Sequence, residues 1–240
     1  MKKLLTAAAL LALTAGLSQA QTIRMGTEGA YPPYNFINDA GEVDGFEREL
    51  GDELCKRAEL TCEWVTNEWD SIIPNLVSGN YDTIIAGMSI TDERDKVIDF
   101  TQNYIPPAAS AYAALSADAD LKGGVVAAQT ATIQAGYVAE SGATLLEYPT
   151  PDETVAAVRN GEADAVFADK DFLAPIVAES GGELVWAGQD VQIGGGIGVG
   201  VRESDTELKA TFDKAIQSMK DDGSLNAMIK KWFGEDALVF

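Results

Sequence analysis

The chain reads as an α/β protein with largely parallel sheets, built as two similar lobes. Two observations carry this reading. Short β-branched and apolar runs alternate with amphipathic segments along the chain, the pattern of βαβ units. One pattern also occurs twice: Asp70, Gly79, Asp82 and Ala86 recur at the same spacings as Asp152, Gly161, Asp164 and Ala168, 82 residues later. Each copy predicts a helix (71–78 and 153–160), a glycine just past its end, and a strand (83–86 and 165–168). The repeat outweighs coincidence because four positions match in register.

Residues 1–20 carry a basic start (Lys2, Lys3), an apolar run and Ser18-Gln19-Ala20, the features of an export signal cleaved after Ala20. Gln21 and not a cysteine directly follows that site, so the expected product is an exported protein without a lipid anchor. The first strand is expected near 23–27, a helix over 46–58 and a strand at 62–66. Cys55 and Cys62 are the only cysteines; in an exported chain they read as a local disulfide, ahead of a reactive thiol or a metal pair. The segment 104–115 leads out of the first lobe and the glycine-rich run 194–200 leads back. The lobes are therefore expected at 21–108 plus 198–240, and at 109–197. Gly196-x-Gly198-x-Gly200 lacks the dinucleotide-binding spacing and any phosphate-binding lysine. The last segment reads as two helices broken at Asp222-Gly223-Ser224, with Leu208, Phe212, Ile216 and Met219 as a core stripe.

Composition narrows the function. Lys and Arg number 17 against 38 Asp and Glu, a net charge of −21, or −23 once Lys2 and Lys3 leave with the leader. Such a chain is no partner for nucleic acid or anionic membrane. Histidine is absent, which removes the commonest metal ligand and general base. No cofactor is indicated.

The run Gly87 to Thr101 is the most informative stretch. It follows an apolar strand and predicts a helix capped by Thr91, with Arg94 near its start beside unpaired backbone N–H groups. A guanidinium there suits a carboxylate. The repeat puts Ala86-Gly87-Met88-Ser89 and Ala168-Asp169-Lys170 at equivalent strand ends, where open α/β sheets bind ligands. If the lobes face each other, Arg94 and Asp169 line one cleft, a cation and an anion suited to a zwitterionic amino acid.

These residues resemble a known family, the periplasmic solute-binding proteins of polar amino-acid ABC transporters (bacterial extracellular family 3). The resemblance rests on Gly26-Thr27-Glu28-Gly29-Ala30-Tyr31-Pro32-Pro33-Tyr34, Val43-Asp44-Gly45-Phe46-Glu47, Trp69-Asp70-Ser71-Ile72-Ile73-Pro74-Asn75-Leu76, Ser89-Ile90-Thr91-Asp92-Glu93-Arg94, Asp222-Gly223-Ser224 and Lys231-Trp232-Phe233-Gly234. It is nearest to lysine/arginine/ornithine and histidine binders, whose disulfide spacing Cys55–Cys62 repeats, and to octopine/nopaline binders. It implies a two-lobed type II periplasmic-binding-protein fold with two crossover strands and a ligand cleft between the lobes. Arg94 would then hold the ligand α-carboxylate, with N–H groups at Ser89 and near Thr132, the cap of a helix at 133–140. Asp169 would accept from the α-ammonium, with carbonyls near Ala86 and the Ser89 hydroxyl; Gly87 and Met88 complete that segment. Tyr31 and Trp69 would sandwich the side chain, and Glu28 would face a distal cation. Against this stand simpler roles: turn packing for Tyr31, core for Trp69, a solvated loop acid for Glu28, and a helix cap for Asp169. The chain departs from the basic-amino-acid binders in having Ala86-Gly87 where two serines are common, and Glu28 where Asp is common. The second-lobe insertion associated with opine binders is absent.

The resemblance implies a monomeric periplasmic receptor that delivers an L-amino acid, cationic or a related opine, to an ABC permease. A dehydratase-like enzyme acting on prephenate or arogenate, a binder of neutral polar amino acids, and a module serving a chemoreceptor are the competing expectations.

Overall fold

The computed structural model describes residues 22–240; the anticipated leader at 1–20 lies outside them. The first lobe is a five-stranded sheet in which parallel and antiparallel pairs mix. Strand β1 (Ile23–Thr27) is followed by two small strands, β2 (Ala30–Tyr31) and β3 (Asn35–Ile37), which with β4 (Val43–Asp44) form a separate three-stranded sheet. Helix α1 (Phe46–Arg57) leads to β5 (Cys62–Thr66), and α2 (Ile72–Val77) to β6 (Thr83–Ile84). Strand β7 (Asp99–Ile105) carries the chain to the second lobe.

There, β8 (Ala109–Ala114), β9 (Val125–Gln129), α3 (Ile133–Ser141), β10 (Thr144–Tyr148), α4 (Pro151–Arg159), β11 (Ala165–Asp169), α5 (Lys170–Glu179) and β12 (Val185–Gln192) follow in turn. The chain returns through β13 (Ile197–Val201) and ends with α6 (Thr206–Asp221) and α7 (Ser224–Phe233). The sheet orders are β5-β1-β6-β13-β7 and β10-β9-β11-β8-β12. The two orders superimpose when β1 is set on β9, β5 on β10, β6 on β11, β13 on β8 and β7 on β12.

The repeated motif explains this likeness at the level of single bonds. Gly79 and Gly161 both adopt left-handed φ (+81° and +73°), which ends their helices without a Cβ clash. Asn80 N–H donates to the Asn75 carbonyl, and Glu162 N–H to the Ala157 carbonyl, 82 residues on. Each motif aspartate then reaches back to the strand before it. Asp82 accepts from the Arg24 N–H (3.0 Å) and returns its own N–H to the Arg24 carbonyl; Asp164 does the same with Val125 (2.8 Å). The aspartate thus fixes the offset between a helix–glycine turn and the neighbouring parallel strand. In the first lobe Asp82 is also the hub of an ion-pair group with Arg24 (3.0 Å) and Arg202 (2.9 Å), which hold its carboxyl below the ordinary range against the opposing effect of burial.

Each sheet is covered on both faces. On the first, Phe46, Leu50 and Leu54 of α1 pack with Phe212, Ile216 and Met219 of α6 against Val199 and Val201, while Ile72 and Leu76 cover the reverse face. On the second, Val155, Val158, Phe172 and Leu173 lie on one face and Val138 on the other. The C-terminal helices therefore belong to the first lobe. Cys55 and Cys62 are bonded, tying the end of α1 to the start of β5.

One element differs from expectation. The run after Ser89 does not open into an α-helix; it forms a single 3-10 turn, Arg94–Lys96. The Thr91 hydroxyl does accept the Arg94 N–H (3.2 Å). The helix stops because Ile98 and Phe100 are needed in the core beside Ile84 and Met88, and β7 begins at Asp99.

Candidate functional site

The strand ends of both sheets face one cavity, lined by Glu28, Tyr31, Trp69, Ala86, Gly87, Ser89 and Arg94 from the first lobe and by Gln129, Thr132, Ile133, Gln134 and Asp169 from the second. Met88 is not among them. Beyond β6 the backbone bends, with Gly87 at a left-handed φ of +63°. Gly87 and Ser89 face the cleft, whereas Met88 packs with Trp69, Ile72 and Ile98 in the first-lobe core.

Arg94 is held from both sides. Its Nη1 donates to the Ser89 carbonyl (2.9 Å), its Nη2 to the Ala131 carbonyl of the other lobe (3.3 Å), and its guanidinium lies 5.4 Å from the Trp69 ring centre. Among the described residues no carboxylate comes within ion-pair distance of it, and burial lowers its pKa to about 10. Ala131 takes a left-handed φ of +56°, unusual for a residue with a Cβ. Thr132 then caps α3, accepting the Ala135 N–H (3.1 Å) and donating to the Gln129 carbonyl (2.7 Å). The amino end of α3 therefore points its partial positive charge to the same place as Arg94.

Asp169 ends β11 and makes no side-chain cap to α5. Its Oδ2 accepts from the Tyr31 hydroxyl (2.8 Å) and its Oδ1 from Gln134 Nε2 (2.9 Å). Burial raises its pKa to about 6, with Asp171 adding to the rise and the Tyr31 bond and Arg94 opposing it. The buried carboxylate thus has two neutral donors and, among the described residues, no Lys or Arg within ion-pair distance.

Tyr31 stacks on Phe172 across the lobes, ring centres 4.4 Å apart and planes 11° from parallel. One face of the ring is therefore taken by protein rather than open to a ligand. Trp69 is 8 % exposed and serves both the core and the cavity wall, its ring bracing Arg94. On the same cavity wall Glu28 accepts from Gln129 Nε2 (2.6 Å), another contact between lobes. Burial, with Glu68, Glu47 and Asp152 nearby, raises Glu28 to about 7 against the effect of Gln129. Negative charge gathers around Glu28, and among the described residues no Lys or Arg lies within ion-pair distance of it.

Gln129, Ile133, Gln134 and Phe172 escaped the sequence reading. Gln134 lies two residues past the Thr132 cap, so it faces the same helix end; that spacing was the available signal. Phe172 gave none, because its role depends on how the lobes meet. Among the described residues no cluster of His, Cys, Asp and Glu is arranged to hold a metal, and no helix is long and apolar enough to cross a membrane.

The sequence profile of the bacterial extracellular solute-binding proteins, family 3, matches residues 23–235. The chain belongs to this family. It is 32 % identical over 246 residues to the lysine/arginine/ornithine-binding periplasmic protein of Escherichia coli (strain K12), covering 93 % of this chain and 95 % of that one. A crystal structure of a periplasmic His/Glu/Gln/Arg/opine family-binding protein from Silicibacter pomeroyi, in complex with lysine, is 80 % identical, with a TM-score of 0.90 over 91 % of this chain and all of that one. An ancestral arginine-binding protein bound to arginine is 30 % identical, with a TM-score of 0.82 over 89 % of this chain and 98 % of that chain. The family member described here accordingly has the two-lobed type II periplasmic-binding-protein fold, and these relatives are binding proteins.

Proposed function

We propose that this family member is a periplasmic receptor that captures a cationic L-amino acid, lysine, arginine or ornithine, and delivers it to an ABC importer. The carrying observation is three charges lining one cavity: Arg94 with the amino end of α3, Asp169, and Glu28. A ligand α-carboxylate suits the first, an α-ammonium the second, and a distal cation the third. Each charge-assisted hydrogen bond contributes about 1.5–3 kcal/mol. Because the partners come from both lobes, the ligand stabilises the closed arrangement and nothing need react. The lysine complex of the 80 % identical relative supports the same ligand class.

The role as importer subunit rather than chemoreceptor ligand-presenter follows the family, and the protein is taken to act as an exported monomer. A calorimetric screen over the common amino acids, ornithine, citrulline and octopine tests the reading. Micromolar or tighter binding of lysine or arginine is the expected result; binding confined to neutral ligands sinks the cationic assignment. Incubation with prephenate and arogenate should give no turnover.

A further inference from the structure

Glu47, the second residue of α1, is fully buried. Among the described residues no Lys or Arg lies within ion-pair distance of it. An isolated buried carboxylate is costly and persists only where donors satisfy it. Here there are three: Asn35 Nδ2 donates to one oxygen (2.7 Å), while the Gly87 N–H (2.6 Å) and the Tyr104 hydroxyl donate to the other. Asn35 in turn accepts the Gly29 N–H through its own oxygen (2.7 Å).

The direction of this chain is fixed at both ends by backbone N–H groups, which can only donate. Gly29 directly follows Glu28; Gly87, at a left-handed φ of +63°, directly follows Ala86. Tyr104 lies at the end of β7, just before the chain crosses to the second lobe. One carboxylate thus joins the Glu28 loop, the Gly87 loop and the strand entering the hinge.

We propose that Glu47 is a positioning residue for ligand capture, setting the spacing between the two first-lobe loops that line the cleft and tying both to the hinge strand. The inference rests on the amino-acid-binding reading. It makes a polarity argument that a packing role does not. In Glu47→Gln the new Nε2 faces Asn35 Nδ2, donor against donor. Turning Asn35 over moves the clash onto the Gly29 N–H. Adding Asn35→Asp removes it, because an aspartate accepts from both sides.

The test uses the mature full-length chain, with lysine calorimetry and the amide shifts of Gly29 and Gly87 by NMR. Glu47→Gln is expected to weaken lysine binding about tenfold, the loss of one well-made buried bond, and to move the Gly87 amide upfield. The double variant Asn35→Asp/Glu47→Gln is expected to regain affinity to within about threefold of wild type. Wild-type affinity in Glu47→Gln, or a double variant no better than it, overturns the proposal. If Glu47→Gln does not fold, the double variant decides alone: tight binding supports the proposal, and weak binding or failure to fold overturns it. If the wild type binds no amino acid, the functional reading fails by itself; the two amide shifts, unmoved in Glu47→Gln, would then sink the positioning role separately.

Discussion

The Tyr31 hydroxyl of the first lobe donates to Oδ2 of Asp169 in the second at 2.8 Å, so the carboxylate assigned to the ligand ammonium is itself a contact between lobes. A hydrogen bond to an anion favours the anion. Tyr31→Phe should therefore lower lysine affinity by up to about tenfold, one hydrogen bond to a charged group. It should also move the pH midpoint of binding above the value of about 6 set by Asp169. Calorimetric titration from pH 5 to 8 checks both.

Arg94→Ala should abolish binding of every amino-acid ligand. Truncating one partner of a buried charge pair costs about 2–5 kcal/mol, and here it also removes the Ala131 bridge to the other lobe. Thermal-shift assays with lysine, arginine and glutamine should show no stabilisation by any of them.

Glu28→Gln should act selectively. The amide keeps an oxygen for Gln129 but loses the charge facing a distal cation, so lysine and arginine should weaken about tenfold or more while neutral ligands change little. Equal losses for cationic and neutral ligands would remove Glu28 from the specificity argument.

Two raised carboxyls give opposite pH trends for the free and the loaded protein. Asp169 and Glu28, at about 6 and about 7, hold protons more tightly folded than unfolded. The stability they contribute is complete below the ordinary carboxyl range and is lost as pH rises through 6 to 7. Ligand cations need both groups ionised, so affinity should rise over that window. The lysine-induced increase in Tm should grow from pH 5 to 8. At pH 6 binding should release about one and a half protons, read as a buffer-dependent enthalpy.

The disulfide should bear on stability and not on recognition. Cys55 lies about 12 Å along α1 from Glu47, away from the cleft, and the bond spans a sequence separation of 7. Replacing both cysteines with alanine should cost about 2.5 kcal/mol by loop entropy, several degrees in Tm, with lysine affinity unchanged within about threefold. Scanning calorimetry and titration of the same variant separate the two.

The strands at 23–27 and 62–66 and the paired helix–glycine–strand units were legible because each rests on local rules: β-branched runs, a left-handed glycine, a motif repeated in register. Nine of the ten residues singled out line the one cavity. What was hidden depends on tertiary competition. The run after Thr91 carries good helix signals, yet Ile98 and Phe100 are drawn into the core and leave it one turn. Met88 was read by proximity, whereas beyond the left-handed turn at Gly87 its side chain packs into the core. Glu47 stood in a quoted motif without a role, because its three donors come from segments 12, 40 and 57 residues away. Sequence spacing has no means of showing such convergence.

The two crossings between lobes leave β7 and return to β13, which are hydrogen-bonded neighbours in one sheet, and join β8 and β12, neighbours in the other. The connection is thus a narrow two-stranded ribbon rather than a broad seam. A ribbon of this kind bends readily in one direction and resists shear and twist in the others. Opening then amounts to travel along a single angular coordinate. Contacts as far apart as Glu28–Gln129 and Arg94–Ala131 are strained by the same rotation, so weakening either should speed ligand escape through the same barrier.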